Sequence, residues 1–246
     1  MQERIFLDTK SGRVCCLHTH VKGSPSVVIL AHGYISDKES RTNTELSKRL
    51  NRAGISTIAF DMYGHGESEG DIERLTITKA VENVLAVYDF AKSKGYQKIG
   101  LSGSSFTGIV SLIAATKREF SALSLKCPVF SSKKLWDWRH GKKGIDGWRK
   151  RGYITLFGKK WRYEAYEDAS RYDMERIAPS ITAPTVVIHG NKDKTVPISH
   201  ARNIIAHVSG EKKLVVVKGA DHFFHDPKHF EQMIGTSFQW LSSHLE

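Results

Sequence analysis

The chain has 246 residues, of which 40% are hydrophobic and 26% are charged, and it carries a formal net charge of +11. This composition is typical of a folded globular protein and excludes a chain that is disordered over most of its length. No run approaches the roughly 18 apolar residues that a membrane-spanning helix needs. Residues 1–13 lack the apolar stretch of a secretory signal, so we expect a cytoplasmic location.

The cysteines and the positive charge narrow the class further. Cys15 and Cys16 are neighbours and Cys127 lies in an apolar run, so no disulfide framework is expected. Between Lys133 and Tyr163, eleven Lys or Arg residues stand against two acids, which places +9 of the total charge in one segment. Because the excess of positive charge lies in one segment, the position of that segment says more about possible binding partners than the net charge of the chain does.

Short apolar runs alternate with helical patterns along the chain, which predicts an α/β fold. Runs 4–7 and 13–21 lie too close for a helical crossover and are expected to form an antiparallel hairpin. Parallel strands buried on both faces are expected at 26–31, 56–60, 98–101, 122–126, 185–188 and 213–217. Helices are expected at 42–53, 77–94, 107–117, 200–208 and 229–245. Together these elements predict a mostly parallel eight-stranded sheet with helices on both faces.

The segment 129–177 matches neither pattern and holds four of the five tryptophans. We therefore divide the chain into an α/β core, 1–128 and 178–246, and a small inserted cap, 129–177. The basic, Trp-rich cap has three interpretations. It is a solvated cover with aromatic residues packed on the sheet, the wall of a pocket for an anionic acyl substrate, or a surface for anionic polymers. The first is preferred.

The run from Gly103 to Thr107 lies between a predicted strand and a predicted helix, which is the context of a nucleophile elbow. Strand and helix nearly touch at such a turn, so small residues are needed two positions before and after the nucleophile. Gly103 and Thr107 flank Ser105 in this way, although Thr107 departs from the usual G-x-S-x-G. Ser104 is the rival nucleophile, but Phe106 would then stand at the crossing. We predict Ser105.

A serine nucleophile needs a histidine to take its proton and a carboxylate to orient that histidine. Asp193 follows the strand predicted at 185–188, and His222 follows the strand predicted at 213–217. Because the carboxyl ends of parallel strands meet at one edge of a sheet, we expect both side chains near the serine. His225 is the alternative base, and Asp221 and Asp226 are alternative acids, each more simply explained as an exposed loop residue.

Acyl transfer also needs N–H donors for the oxyanion. The amide of Phe106, directly after the nucleophile, is one candidate, and Tyr34, on the loop after the first parallel strand, is assigned as the other by position.

Histidines could also indicate a metal, but His32, His65, His189 and His222 include no pair with the close helical spacing of a zinc motif, so no metal is expected. The glycine-rich run 64–70 lacks the ending of a phosphate-binding loop and is interpreted as a structural turn.

Five motifs, taken together, carry a family resemblance. They are HGYISDK at 32–38, DMYGHGESEG at 61–70, GSSFTG at 103–108, HGNKD at 189–193 and GADHFF at 219–224. In order and spacing the chain resembles serine hydrolases of the α/β-hydrolase superfamily. Within it, the chain looks most like small carboxylesterases of the cinnamoyl and feruloyl esterase type, which cover their site with an insert where 129–177 falls here.

The resemblance implies a catalytic triad of Ser105, Asp193 and His222 and no cofactor. The function expected is hydrolysis of carboxylic esters, feruloyl, cinnamoyl or short-acyl, through an acyl-enzyme on Ser105. Two alternatives stay open: an acyl-peptide or thioester hydrolase with the same triad, and a non-catalytic relative that binds anionic polymers through the basic insertion. The expected partner is a small-molecule ester, with no specific nucleic acid, no membrane span and a homodimer left open. Aromatic candidates for substrate contact are Trp136, Trp138, Tyr153, Phe157 and Tyr163.

Overall fold

The computed structural model describes residues 2–246, so of the predicted core only Met1 lies outside the described residues. The strands are β1 (Gln2–Thr9), β2 (Gly12–Thr19), β3 (Ser26–Ala31), β4 (Ser56–Phe60), β5 (Lys98–Ser104), β6 (Ala122–Lys126), β7 (Tyr153–Leu156), β8 (Lys159–Arg162), β9 (Thr185–Gly190) and β10 (Lys212–Val217). The helices are α1 (Arg41–Arg52), α2 (Ile77–Ser93), α3 (Phe106–Ala115), α4 (Ser132–Arg151), α5 (Glu164–Ala169), α6 (Met174–Ile177), α7 (Ser199–His207) and α8 (Pro227–Leu245). Short 3₁₀ turns lie at Ile72–Arg74 and Ala178–Ser180.

Eight strands form one sheet in the order β1-β2-β4-β3-β5-β6-β9-β10. The pairs β1–β2 and β2–β4 are antiparallel, and the other neighbours are parallel. The hairpin turn between β1 and β2 uses Gly12 at φ 126°, a conformation that glycine adopts without strain. The predicted α/β fold with a mostly parallel eight-stranded sheet is confirmed.

Helices cover both faces of this sheet because the buried residues of the central strands alternate between two cores. In β3, Val27 and Ile29 belong to a core built with α2, α3 and α7, whereas Val28 and Leu30 belong to a core built with α1 and α8. No helix within residues 2–246 has the length and apolar character required to cross a bilayer.

Strand β10 departs from the prediction that every parallel strand is buried on both faces. It is last in the sheet order and pairs only with β9, so its outer side faces solvent. Val216 is 44% exposed, and Lys212 and Lys213 are exposed at the strand's start. Charged residues on an edge strand hinder pairing with another chain.

The segment 129–177 folds as α4, the β7–β8 hairpin, α5 and α6, and α4 is kinked at Gly141, where φ is 60° and ψ is 175°. Trp136, Trp148 and Trp161 are buried and belong to the same core cluster as Val27 and Ile29 of the sheet. The aromatic side chains therefore pack the segment directly onto the sheet. Its division from the core as a separate unit stays a prediction.

Candidate active site

Ser105 stands at the sharp turn between β5 and α3, with φ 57° and ψ −113°. A positive φ is strained for a residue with a side chain, and such strain concentrates at functional sites. Three backbone hydrogen bonds hold the turn: the Ser105 N–H donates to the Lys126 carbonyl at 2.9 Å, and the Ser105 carbonyl accepts from the N–H groups of Gly108 and Val129, each at 2.9 Å. A Cβ on Gly103 would lie 2.4 Å from the Ser111 hydroxyl, so glycine is required there.

Thr107 is accommodated by hydrogen bonds. Its buried hydroxyl accepts from the Ser104 N–H at 2.7 Å and lies within donating distance of the carbonyls of Ser104, at 2.9 Å, and Ala31, at 3.1 Å. The next residue, Gly108, is also at a close approach, because a Cβ there would lie 2.4 Å from the Pro128 Cβ. Thr107 therefore ties the elbow to the end of β3 instead of colliding with it.

The structure brings Ser105, His222 and Asp193 into one hydrogen-bonded line. The Nε2 of His222 lies 3.0 Å from the Ser105 hydroxyl oxygen, and its Nδ1 lies 2.7 Å from Oδ2 of Asp193. An ionised carboxylate only accepts, so the proton sits on Nδ1 and leaves Nε2 free to accept from the serine. His222 and Asp193 occupy the loops after β10 and β9, where parallel strands end at the same edge of the sheet.

The carboxylate of Asp193 is held ionised by its neighbours. Its Oδ1 accepts from the backbone N–H groups of Thr195, at 2.7 Å, and Val196, at 2.8 Å. His189 places its Nε2 3.3 Å from Oδ2 and 2.9 Å from the Val196 carbonyl. Burial alone would raise the pKa of Asp193, but the hydrogen bonds from His189 and His222 hold it well below its ordinary value.

The rival residues have other roles. His225 pairs with Asp221, and the side chain of His225 is 76% exposed. Asp226 caps α8 by accepting from the Lys228 N–H at 2.7 Å. Ser104 lines the cavity described next, but the hydrogen bond to His222 is made by Ser105.

Two cavities meet at Ser105. The larger, here called the outer cavity, measures about 240 Å³. Its lining is His32, Gly33, Tyr34, Ile35, Ser36, Ser40, Thr42, Asn43, Ser104, Ser105, Lys126, Phe157, His222 and Phe223. The smaller, here called the inner cavity, measures about 40 Å³ and lies under the cap. Its lining is Tyr34, Ser105, Phe106, Val129, Ser132, Leu135, Trp136, Arg139, Leu156, Phe157, Trp161, Thr195 and Val196.

The structure divides the aromatic candidates for substrate contact. Trp136 lines the inner cavity and Phe157 lines both cavities. Trp138, Tyr153 and Tyr163 line neither cavity.

Each of these three side chains is engaged elsewhere. Trp138 is 63% exposed on the outer side of α4, Tyr163 stacks on Tyr166 at 5.5 Å, and the Tyr153 ring lies 4.9 Å from the Lys160 ammonium.

Sequence reasoning missed Trp161 and Leu156 as lining residues. In the β7–β8 hairpin, Ile154 pairs with Trp161, and both are buried. Alternate residues of a strand share a face, and so do directly paired residues of a hairpin. A hairpin predicted at 153–162 would therefore have placed the apolar residues 154, 156 and 161 on one face, which was the available signal that this face points inward.

Backbone groups that could hold an oxyanion lie on both sides of Ser105. Phe106 is the first residue of α3, and the first N–H groups of a helix have no intrahelical partner. The loop after β3 passes close to the elbow, because a Cβ on Gly33 would lie 3.6 Å from the Ser105 Cβ. Tyr34 follows on that loop, and its ring stacks on Trp161 at 4.3 Å. The aim of the Tyr34 and Phe106 N–H groups at an oxyanion stays a prediction.

The motifs at 32–38 and 61–70 are joined to each other. The Lys38 ammonium donates to Asp61 at 2.8 Å and to Glu67 at 2.9 Å. His32 accepts from the Met62 N–H at 3.0 Å, and burial, together with the neighbouring His65, lowers the pKa of His32 to about 3. A neutral imidazole and a buried ion pair thus fasten the loop that carries Tyr34.

One set of potential metal ligands occurs within residues 2–246: Cys127, Asp193 and His222, whose ligand atoms lie within 4.8 Å of one another. Burial strongly raises the pKa of the Cys127 thiol, whereas metals bind the thiolate. Asp193 and His222 are also hydrogen-bonded to each other. The donor set therefore fits a Ser-His-Asp line better than a metal centre.

Residues 48–246 match the model of the prolyl oligopeptidase family. Similar curated proteins include the mitochondrial palmitoyl-protein thioesterase ABHD10 of Rattus norvegicus, 24% identical over 224 residues, which are 83% of this chain and 71% of that protein. The serine hydrolase BPHL of Homo sapiens is 23% identical over 213 residues, which are 78% of this chain and 72% of that protein.

Two solved structures share the fold. Est1E from Butyrivibrio proteoclasticus, with ferulic acid bound, is 22% identical with a TM-score of 0.83, over 98% of this chain and 99% of that one. The α/β-hydrolase domain-containing protein 10 from mouse is 20% identical with a TM-score of 0.84, over 98% and 99%. The chain belongs to the prolyl oligopeptidase family and has the α/β-hydrolase fold.

Proposed function

We propose that the protein hydrolyses carboxylic esters through an acyl-enzyme on Ser105. The observation that carries this proposal is the line of hydrogen bonds from Ser105 through His222 to Asp193, at 3.0 and 2.7 Å, where two cavities meet. The similarity to proteins named as thioesterase and serine hydrolase supports the same class of reaction.

In the proposed reaction, each group has a task. The Ser105 oxygen attacks the carbonyl carbon while Nε2 of His222 takes the hydroxyl proton, and Asp193 stabilises the imidazolium that forms. The N–H groups of Phe106 and Tyr34 are proposed to stabilise the oxyanion. His222 then donates the proton to the leaving oxygen, and the carbon–oxygen bond breaks. Water, deprotonated by His222, attacks the acyl-enzyme, the bond from the acyl carbon to the Ser105 oxygen breaks, and His222 returns the proton to that oxygen as the acid is released.

The two cavities suggest how the ester lies. The leaving group must sit beside His222, since Nε2 donates its proton there, and His222 lines the outer cavity but not the inner one. The acyl group then enters the inner cavity among Leu135, Trp136 and Trp161. The inner cavity's volume of about 40 Å³ is small beside the 240 Å³ of the outer cavity, which favours a short acyl chain over a long one. We therefore propose acetyl to butyryl esters as the preferred class.

The test compares Ser105→Ala with Ser104→Ala, its matched control one residue away. With p-nitrophenyl acetate and butyrate, Ser105→Ala is expected to lower kcat by at least about a thousandfold, because the nucleophile is removed. Ser104→Ala should keep turnover, and a fluorophosphonate should label wild type and Ser104→Ala but not Ser105→Ala. Equal turnover by wild type and Ser105→Ala would refute the proposal. Absence of labelling in wild type would favour the non-catalytic alternative.

A thioester is the second candidate, because curated relatives are named palmitoyl-protein thioesterase. The hydrogen-bonded line itself does not distinguish oxygen, sulfur and nitrogen leaving groups. Butyryl esters, butyryl thioesters and butyryl amides of matched leaving groups, compared by kcat/KM, decide between them. A thioester rate well above the ester rate would replace the first candidate with the second.

A further inference from the structure

The lining of the outer cavity includes a lysine but no carboxylate residue. Among the residues that line it, Lys126 is the one Lys or Arg, and none is Asp or Glu. Its strand position is fixed: Lys126 ends β6, pairs with Ser104 in the sheet, and accepts the Ser105 N–H through its carbonyl at 2.9 Å. The backbone of Lys126 therefore lies on the strand next to β5, and β5 leads directly into the nucleophile turn.

The Lys126 ammonium lies beside an aromatic ring. Its Nζ lies 5.9 Å from the centre of the Phe224 ring. Within residues 2–246, no carboxylate lies within 4.0 Å of this Nζ, which is unlike Lys38 near the same site. The carboxylates that act on Lys126 electrostatically, Asp193 and Asp221, are each already hydrogen-bonded to a histidine.

Partial burial of an ammonium without a close counterion is costly. Burial lowers the pKa of Lys126, which is the direction expected when protein groups compensate the charge incompletely. Thr42 and Asn43 also line the cavity and belong to the first turn of α1, which has no acidic residue and carries the positive end of the helix dipole. Two parts of the cavity lining therefore favour negative charge.

We infer that Lys126 recognises an anionic group, a carboxylate or a phosphate, on the leaving alcohol or thiol. This inference rests on the proposed function, because it places the leaving group in the outer cavity beside His222. It makes Lys126 a specificity residue that binds the part of the substrate that is released.

The kinetic test uses three butyryl esters that share the acyl group. Their alcohols are glycolic acid with a carboxylate, 2-hydroxyethyl phosphate with a phosphate, and neutral ethylene glycol. The measured quantity is the ratio of kcat/KM for an anionic ester to that for the neutral ester, compared between variants so that intrinsic reactivity cancels. Lys126→Met is expected to lower this ratio by about tenfold, because a hydrogen-bonded charge contact is lost. Lys192→Met, an exposed lysine outside the cavity, is the control and should keep the ratio.

Comparison of the carboxylate and phosphate arms shows which anion is bound. Lys126→Arg, which keeps the charge, should retain most of the preference. A ratio in Lys126→Met equal to that of wild type, for both anions, would overturn the inference.

A binding measurement separates this inference from the proposed reaction. Calorimetry on Ser105→Ala measures the affinity for each intact ester without turnover, and needs no change at Lys126. At least one anionic ester should bind about tenfold more tightly than the neutral ester. Equal affinities for all three would overturn the inference. If wild type hydrolyses none of the esters, the proposed function fails, and this affinity comparison, repeated with Lys126→Met added to Ser105→Ala, still decides the role of Lys126.

Discussion

At the scale of single residues, Thr107 stands where the usual motif has a glycine, and its side chain is accommodated there by hydrogen bonds. Its hydroxyl satisfies the Ser104 N–H and reaches the Ala31 carbonyl, so that the elbow and the end of β3 share one side chain. The same strand end leads into the loop of Gly33 and Tyr34. A residue that departs from the family pattern thereby couples the nucleophile turn to the proposed oxyanion loop.

This coupling predicts the effect of removing one oxygen atom. Thr107→Val keeps the shape of the side chain but leaves the part-buried Ser104 N–H without an acceptor. We expect the free energy of unfolding in urea to fall by about 1–3 kcal/mol, and kcat to fall with it, because an unsatisfied buried donor is costly. Thr107→Ser, which retains the hydroxyl, is the matched control and should stay closer to wild type in both measurements. Equal values for the two variants would contradict the role given to the hydroxyl.

The grouping of Ser105, Asp193 and His222 could be predicted from sequence because it depends on topology alone. Each follows a parallel strand, and such strands end at one edge of a sheet. The contribution of His189 to Asp193 could not be predicted, since His189 lies inside β9 and its ring position depends on the bend of the loop at Val196.

At the scale of elements, the apolar pattern of a strand predicts that the strand is buried but not where it lies in the sheet. β3 and β10 both carry continuous apolar runs, yet β3 is central and β10 lies at the edge. An apolar run does not encode the order of strands in a sheet. In α4, Trp136 and Trp138 are two residues apart, which is about 200° around a helix, so they face opposite sides. Because lysines occur on both sides of that helix, its sequence does not indicate which tryptophan faces the sheet.

The cap hairpin predicts how acyl preference can be changed. Trp161 on β8 closes the inner cavity and stacks on Tyr34. Trp161→Leu should open this space and raise the ratio of kcat/KM for p-nitrophenyl octanoate to that for the butyrate by about tenfold. Trp138→Leu, at the exposed tryptophan of the same cap, is the control and should leave the ratio unchanged. A shift in the control, or none in Trp161→Leu, would show that the acyl group lies elsewhere.

At the scale of the whole molecule, the cap places much of its charge away from its buried tryptophans, although Arg139 lines the inner cavity. Lys142, Lys143, Arg149 and Lys150 are exposed, while three tryptophans of the same segment are buried against the sheet. This arrangement agrees with the preferred interpretation of a solvated cover packed on the sheet by aromatic residues. Composition alone could not separate this interpretation from a charged pocket wall, because both need the same residues.

The buried histidines predict how stability depends on pH. Burial and a neighbouring histidine lower the pKa of His32 to about 3 and that of His200 to about 4. An unfolded histidine has a pKa near 6.5, so below that pH the unfolded chain binds protons that the folded chain does not. The stabilisation is therefore complete above about pH 6.5 and is lost as pH falls toward the folded pKa values. Each such histidine contributes a slope of up to about 1.4 kcal/mol per pH unit.

Urea unfolding at pH 7.5, 6.5 and 5.5 tests this dependence. The free energy of unfolding should fall more between pH 6.5 and 5.5 than between 7.5 and 6.5. His200 accepts the Phe130 N–H through Nδ1 at 3.1 Å, and asparagine can accept in its place without titrating. His200→Asn should therefore reduce the slope, whereas His225→Asn, at a histidine whose side chain is 76% exposed, should not. If His200→Asn kept the slope of wild type, the acid sensitivity would have to come from other groups, such as the buried His18, His32 and His65, whose pKa values burial also lowers.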